Sequence, residues 1–131
     1  MFKEFIRWMQ NKIKIDRKRR MIIINQGEVY WCALGENVGD EENGKGGQFR
    51  RPVLVFKKFN NNIFWGIPMS TKNKENPYYI KVLLKDVVQS AIISQLRILD
   101  TKRLDYKIGY VSKTDFDLIK NKIMEVILYK H

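Results

Sequence analysis

The chain of 131 residues nearly lacks the residue types from which most catalytic sites are built. It has one histidine, His131 at its last position, and one cysteine, Cys32. Without an interior histidine, the commonest general acid or base is missing, and so are Ser-His-Asp and Cys-His catalytic sets. Zinc sites made of histidines or cysteines are excluded as well. One cysteine cannot form an internal disulfide, which favours a reduced, cytoplasmic setting.

Long apolar runs are missing too. No stretch approaches the roughly 20 apolar residues of a membrane-spanning helix, and the charged N-terminus without a small-residue cleavage site does not read as a signal peptide. The glycine-rich residues 44–47 lack the spacing and the following helix of a phosphate-binding loop. No repeat or low-complexity segment is visible. The length and the 44% hydrophobic content therefore indicate one folded domain. No cofactor is expected.

Positive charge, in contrast, is in excess. Lys and Arg number 25 against 14 Asp and Glu, a net charge of +11. This excess favours a polyanionic partner, although a lysine coat that only aids solubility is the alternative. Residues 1–20 hold eight basic and two acidic residues and an apolar stripe at helical spacing. For this basic helix, packing on the domain, contact with RNA or a partner, and binding to a membrane surface all remain open.

From Met21 the hydrophobic period changes from that of a helix to that of strands. Short strands separated by turn signals, with no alternating helices, indicate a mainly β (α+β) fold, either a small barrel or a sandwich. We expect a helical extension over residues 1–22, a barrel domain over 23–131, and a terminal helix over about 114–129 capped by Ser112 or Thr114. The expected strands cover residues 21–24, 27–34, 52–59, 63–69, 79–84, 90–98 and 110–111, with a short turn or helix at 100–104.

A predicted hairpin brings two candidate functional residues together. Arg51 precedes the 52–59 strand and Ser70 follows the 63–69 strand, so both are expected at the same edge of the sheet. A guanidinium can donate two hydrogen bonds to one anion, and a hydroxyl can bind a phosphate or a sugar hydroxyl. Considered alone, Arg51 is interpreted as a solvated arginine, and Ser70 as a turn residue whose hydroxyl bonds to its own backbone. Together they fit phosphate recognition or phosphodiester chemistry.

The long loop over residues 35–50 contains an acidic cluster, Asp40, Glu41 and Glu42. Paired carboxylates can bind Mg²⁺ or act as a general base. No complementary acidic cluster occurs elsewhere in the sequence. No metal site is therefore expected, and the cluster is interpreted as a solvated acidic loop.

Five motifs occur in a recognisable order. They are Gly27-Glu28-Val29-Tyr30-Trp31, Gly39-Asp40-Glu41, Arg51-Pro52-Val53-Leu54-Val55, Ile67-Pro68-Met69-Ser70-Thr71 and Gln95-Leu96-Arg97-Ile98-Leu99-Asp100. Over residues 27–128 the chain resembles the MazF/PemK toxins of type II toxin–antitoxin systems. The resemblance implies an SH3-like barrel of the MazF/CcdB type that forms a homodimer. It also implies a metal-independent endoribonuclease that cleaves single-stranded RNA (mRNA) at short sequences, and a cognate antitoxin with an acidic, partly disordered segment.

The resemblance assigns roles to individual residues. Arg51 occupies the place of the family's catalytic arginine, and Ser70 that of its catalytic threonine, with Thr71 as the alternative if the register differs by one. Glu41 matches the acidic residue of the family's loop, although it lies further from Arg51 than is typical. Gln95, Arg97 and Asp100 match a segment that is more structural than catalytic. Flanking phosphates would be held by Lys45, Arg50, Lys57, Lys58 and Lys72, and a base would stack on Phe49 or Trp65.

The implied reaction uses the RNA's own 2′-hydroxyl as the nucleophile and yields a 2′,3′-cyclic phosphate and a 5′-hydroxyl end. Arg51 would stabilise charge on the phosphoryl oxygens. Ser70 would orient the 2′-hydroxyl or the phosphate, and Glu41 is the candidate base. Two other functions stay open: a barrel that binds nucleic acid without cleaving it, and a CcdB-like gyrase inhibitor, although the C-terminal tryptophan that such inhibitors need is missing here.

Overall fold

The computed structural model describes residues 22–36 and 48–129. The expected helical extension over residues 1–22, apart from its last residue, lies outside the described residues, as do Glu41 and Lys45, and those expectations stay predictions. The described part contains seven strands and one α-helix. They are β1 (Glu28–Glu36), β2 (Gln48–Lys58), β3 (Ile63–Ser70), β4 (Tyr79–Leu84), β5 (Val87–Ile92), β6 (Arg97–Asp100), β7 (Leu104–Tyr110) and α1 (Lys113–Leu128), with 3₁₀ turns at Ile93–Gln95 and Thr101–Arg103.

The strands form one curled antiparallel sheet in the order β4-β5-β3-β2-β1-β7, with β6 paired to β3 outside that path. β3 changes partner along its length, since Ile63 to Gly66 pair with β6 whereas Met69 and Ser70 pair with β5. Irregular register between β1 and β2, β1 and β7, and β2 and β3 adds bend and twist. The result is the mainly β, SH3-like small barrel with a C-terminal helix that the resemblance implies.

The two faces of the sheet support two separate apolar cores. Along β2, Leu54 belongs to the first core, while its neighbours Val53 and Val55 belong to the second. This follows from strand geometry, because successive side chains point to opposite faces. Burial of each such side chain contributes roughly 1.5–3 kcal/mol. The first core also includes Val29, Ile67, Met69, Ile80, Val82, Leu84 and Ala91, and the second also includes Ile24, Tyr30, Cys32, Phe64, Leu99 and Leu104.

Gly66 lies at the tightest point of the second core. A β-carbon there would lie 2.6 Å from Val53 Cγ1 and 2.8 Å from Leu99 Cδ1. Both distances are shorter than close-packed carbon atoms tolerate, so any side chain would force the core apart. The glycine therefore lets β2 and β6 pack closely on either side of β3.

Helix α1 closes the first core. Ser112 caps it, because its Oγ accepts a hydrogen bond from the Asp115 N–H at 3.0 Å, which decides between the two expected caps. The Phe116 ring stacks on Phe56 of β2 with centroids 5.6 Å apart. Only the first half of the expected apolar stripe is covered: Ile119 and Ile123 are buried, but Val126 and Ile127 are 40% and 72% exposed.

Two strand expectations were wrong near the N-terminal half. Residues 22–25 form no strand, although Ile24 is fully buried. An apolar run has the same sequence appearance whether it packs as a strand or as irregular chain. β2 begins at Gln48 rather than at Pro52, because its pairing with β1 extends through Arg51 and Arg50 to Phe49 and Gln48.

Two further expectations were wrong in the C-terminal half. The single strand expected over residues 90–98 is two strands, β5 and β6, separated by the 3₁₀ turn Ile93–Gln95, because the chain moves there between two different partners of β3. The brief strand expected at 110–111 is the seven-residue β7. β7 is an edge strand with Tyr106 and Tyr110 exposed, so it lacks the apolar run from which a strand is recognised.

Candidate functional site

Arg51 and Ser70 lie on the same face, at the same end of the β2–β3 hairpin. The β2–β3 register pairs Val53 with Pro68, and continued by two residues it would set Arg51 opposite Ser70. Because side chains alternate along a strand, Arg51 shares a face with Val53, and Ser70 shares a face with Phe64. Val53 and Phe64 both belong to the second core, so Arg51 and Ser70 lie on the same face of the sheet. Ser70 ends β3, while Arg51 lies inside β2 because that strand starts earlier than expected. The hairpin thus brings together the pair singled out from the sequence.

Among residues 22–36 and 48–129, no acceptor is found for the hydroxyl proton of Ser70. Ser70 is half-buried, and its Oγ accepts a hydrogen bond from the Lys72 N–H at 3.1 Å. This is the turn-hydroxyl contact that the sequence offers as an alternative, yet it uses only a lone pair. Across the sheet Ser70 pairs with Ser90, whose buried Oγ bonds to Asn73 Oδ1 at 2.9 Å. Thr71 is exposed in the bend after the strand.

The guanidinium of Arg51 is partly removed from water. Burial lowers the pKa of Arg51 below its ordinary value, and the nearby Tyr79 opposes this change. Arg51 stays charged, since an arginine side chain does not lose its proton in proteins. A charge with less water around it attracts an anion more strongly. The electrostatic coupling also shows that Tyr79, the first residue of β4, lies near this arginine.

Sequence reasoning missed Tyr79 as part of the site. In β4 the side chains alternate, so that Ile80 and Val82 are buried in the first core while Tyr79 and Lys81 lie on the opposite face. Register pairs Lys81 with Ser90, the strand partner of Ser70. The alternating pattern marks this face in the sequence, but only the pairing of β4 with β5 and of β5 with β3 places it beside Ser70.

Residues 25–127 match the family described as PemK-like, MazF-like toxin of type II toxin–antitoxin system. The chain belongs to this family. The match covers the whole described barrel and nearly all of α1. No curated protein matches the chain significantly.

Solved structures of MazF proteins have the same fold. The chain is similar to a MazE–MazF structure from Deinococcus radiodurans, with a TM-score of 0.63 and 16% identity over 83% of this chain and 99% of the other. MazF from the same organism gives a TM-score of 0.63 and 16% identity over 81% and 97%. An endoribonuclease in complex with its cognate antitoxin, from a mycobacterial species, gives a TM-score of 0.61 and 15% identity over 83% of this chain and 100% of the other. At these identities the likeness concerns the fold.

Three of the RNA-binding residues expected for this MazF-like chain lie away from Arg51 and Ser70. Lys57 and Lys58 are near the other end of β2. Lys57 is six residues from Arg51 along the strand, which corresponds to about 20 Å. Lys57 Nζ lies 5.9 Å from the centre of the Phe59 ring, and Phe59 meets Trp65 edge to face at 5.0 Å between centroids. The structure therefore gathers Lys57 and Trp65 into an aromatic cluster near the hairpin turn, separate from the candidate site.

Arg50 and Lys72 lie close to the candidate site in sequence and in space. Arg50 lies in β2 on the opposite face from Arg51 and forms an ion pair with Asp105 of β7. Lys72 is exposed two residues after Ser70. The Phe49 backbone pairs with Gly35 of β1, but the Phe49 side chain lies outside the described residues, as do Glu41 and Lys45. Roles of all these residues in RNA binding stay predictions.

Several arginines surround the end of β1. Cys32 is fully buried in the second core and pairs with Arg51 of β2. Burial raises the pKa of the Cys32 thiol to about 11, and the positive charges of Arg103, Arg97 and Arg50 oppose that rise. The Arg103 guanidinium donates a hydrogen bond to the carbonyl oxygen of Ala33 at 3.4 Å. Four arginines therefore lie around this end of the MazF-like barrel.

Acidic and sulfur ligands do not gather in the same way. Across residues 22–36 and 48–129, no group of three or more His, Cys, Asp or Glu side chains is placed to hold a metal ion. None of the helices within those ranges has the length and apolar character to cross a membrane.

Proposed function

We propose that this MazF-like protein is a cytoplasmic toxin endoribonuclease that cleaves single-stranded mRNA at short sequences without a metal ion. The observation that carries the proposal is the position of Arg51 and Ser70 on one face, at one end of one hairpin. A half-buried guanidinium and a hydroxyl with a free proton form a binding site for a phosphodiester. Membership of the toxin family supports the proposal, as does the fold shared with a mycobacterial protein described as an endoribonuclease.

The proposed reaction needs few protein groups because the RNA supplies the nucleophile. The 2′-oxygen forms a bond to the adjacent phosphorus while the bond from phosphorus to the 5′-oxygen breaks. The 2′-hydroxyl gives up its proton to a base, and the leaving 5′-oxygen takes up a proton. Arg51 would donate two hydrogen bonds to the non-bridging oxygens as their charge grows. Ser70 would donate its hydroxyl proton to the phosphate or orient the 2′-hydroxyl.

Cleavage is expected to continue in the presence of EDTA. Arg51 and Ser70 would supply the charge and the hydrogen bonds that a metal ion provides in other nucleases. A long unstructured RNA incubated with the protein and EDTA should yield discrete fragments on a gel. Their 5′-ends should be labelled by a kinase without prior phosphatase treatment, because they carry hydroxyl groups.

Other outcomes of this assay point to other functions. Cleavage that stops in EDTA and returns with Mg²⁺ would contradict the metal-free mechanism. RNA binding without fragments would favour the barrel that only binds nucleic acid. Inhibition of gyrase supercoiling with intact RNA would favour the CcdB-like function.

An antitoxin with an acidic, partly disordered segment is the proposed protein partner. The net charge of +11 and the arginines at the end of β1 would attract such a segment. Two of the similar structures contain a MazF-like protein together with MazE or with a cognate antitoxin. A neighbouring open reading frame for a small protein with an acidic tail, whose co-expression restores growth, would support this partner.

A homodimer is also proposed, through the exposed end of α1. Here α1 and the chain around Ile93 enclose a groove of about 330 Å³ whose lining carries no charged side chain, formed by Tyr78, Ile93, Ser94, Leu96, Ile123, Val126 and Ile127. Two copies that each carry +11 repel one another, so an uncharged apolar face is the surface best suited to their contact.

Replacing Ile127 with glutamate is expected to convert the dimer into a monomer. The substitution places two charges in an apolar contact, and since Ile127 is 72% exposed the fold should persist. Light scattering after size-exclusion chromatography would measure the mass. Ile98→Glu is the matched control, because Ile98 is 60% exposed on β6, away from the groove. A dimer that survives Ile127→Glu, or dissociates with Ile98→Glu alone, would rule out this interface.

A further inference from the structure

Arg97 differs from the neighbouring arginines in having no partner in the described structure. Arg50 is paired with Asp105, and Arg103 bonds to the Ala33 carbonyl. Within residues 22–36 and 48–129, the exposed Arg97 side chain makes no hydrogen bond or ion pair. The resemblance implies that Arg97 belongs to a segment that is more structural than catalytic. The Arg97 guanidinium therefore has no bond to the fold within those residues and can donate to an anion.

The position of Arg97 is determined by the pairing of β6 with β3. Arg97 lies opposite Gly66, and Leu99 lies opposite Phe64. Because Leu99 and Phe64 belong to the second core, alternation puts Arg97 on the same face as Arg51 and Ser70. Gly66 carries no side chain that could cover Arg97 from the neighbouring strand.

The separation of Arg97 from the candidate site suits a contact with an adjacent part of the same RNA strand. Gly66 is four residues from Ser70 along β3, which corresponds to about 13 Å. Arg97 is the first residue of β6, at the point where β3 exchanges β6 for β5 as its partner. Its charge also acts on the thiol of Cys32, the strand partner of Arg51. Register sets Arg97 level with Val55, between Arg51 and the Lys57–Trp65 pair, and its effect on Cys32 indicates that its charge lies on the side of Arg51.

We propose that Arg97 binds a backbone phosphate of the RNA beside the scissile one and so positions the strand for Arg51 and Ser70. The proposal rests on the proposed RNA-cleaving function and adds a contact outside the reacting atoms. A phosphate contact carries no sequence information by itself, but it sets the register of the strand in the site. Loss of this contact should therefore weaken binding and leave the chemical step intact.

The test compares Arg97→Gln with Lys120→Gln, which removes the same charge from an exposed position on α1. Binding to a single-stranded RNA with 2′-O-methyl groups, which cannot be cleaved, is measured over a range of salt concentrations. Arg97→Gln should weaken binding several-fold. It should also reduce the slope of log K against log salt by about 0.7, the amount expected for one phosphate contact on a single strand. Lys120→Gln should leave the slope unchanged.

Cleavage kinetics and thermal melting complete the test. With cleavable RNA, Arg97→Gln should raise KM and leave kcat unchanged, and Arg97→Lys should restore part of the affinity. If the wild type binds RNA but Arg97→Gln and Lys120→Gln both show the same salt slope as the wild type, the role of Arg97 is overturned and the proposed function stands. A lowered melting temperature of Arg97→Gln with an unchanged slope would show a structural role and also overturn it. A wild type that binds no RNA would overturn the proposed function together with this contact.

Discussion

Replacing Arg51 with alanine is expected to abolish detectable RNA cleavage while the barrel stays folded. Loss of one preorganised donor to a developing oxyanion costs about 10²–10³-fold in rate. Arg51 is only half-buried, so the core should tolerate the change. The measurement is the single-turnover cleavage rate of a defined RNA, with circular dichroism to establish that the variant is folded.

Arg50→Ala is the matched control for this variant. Arg50 is the adjacent arginine of β2, carries the same charge and is paired with Asp105. The Arg50→Ala variant should therefore lose RNA affinity at most, and the cleavage rate of bound RNA should change little. Arg51→Lys tests the geometry, since a lysine keeps the charge but cannot donate in a planar fork. Full activity in a folded Arg51→Ala protein would show that the site lies elsewhere.

Replacing Ser70 with alanine is expected to slow cleavage by roughly 10–10²-fold. A hydrogen bond to a charged group contributes about 1.5–3 kcal/mol, which corresponds to a change in rate of that size. The Ser70 hydroxyl accepts from the Lys72 N–H, and within the described residues no acceptor for its own proton is found. That proton is therefore the one available to a phosphate. The effect should appear in kcat rather than in KM, because the bond would strengthen as charge develops.

Thr71 provides the contrast that decides between the two hydroxyls. Thr71 is exposed in the bend after β3, whereas Ser70 ends the strand and pairs with Ser90. Thr71→Ala should therefore leave cleavage almost unchanged, and Ser70→Thr should restore most of the rate. The opposite pattern, with Thr71→Ala inactive and Ser70→Ala active, would transfer the role to Thr71.

Strands with a strong local signal could be predicted from the sequence. β3 and β4 were located to within a residue, because Asn60-Asn61-Asn62 marks a turn and the apolar residues of β4 alternate with polar ones. The hairpin argument that joined Arg51 to Ser70 depends only on this local pattern. Edge strand β7 and the break between β5 and β6 could not be predicted, because they depend on which strand each segment meets.

Some residues of the candidate site could likewise be identified from the sequence, and others could not. Arg51, beside Pro52 at the end of the glycine-rich loop, and Ser70, at the end of the next strand, could be identified from residue types and spacing. Tyr79 and Arg97 could not. Tyr79 reaches the site through the pairing of β4 with β5 and of β5 with β3, and Arg97 reaches it through the pairing of β6 with β3. β4 and β5 form a local hairpin, but the pairings of β5 with β3 and of β6 with β3 join segments that are distant in sequence.

The sequence alone determined the family, the mainly β architecture and the candidate pair Arg51 and Ser70, because hydrophobic period, turn residues and motif order are local properties that a chain carries before it folds. Only the tertiary structure decided that Lys57 and Trp65 lie away from that pair, and that Arg97 lies on its face without a partner in the described chain. The physical reason is that β3 has different partners along its length. Gly66 lets β2 and β6 approach β3 closely, so the curled sheet gathers side chains from remote segments at one end of the barrel.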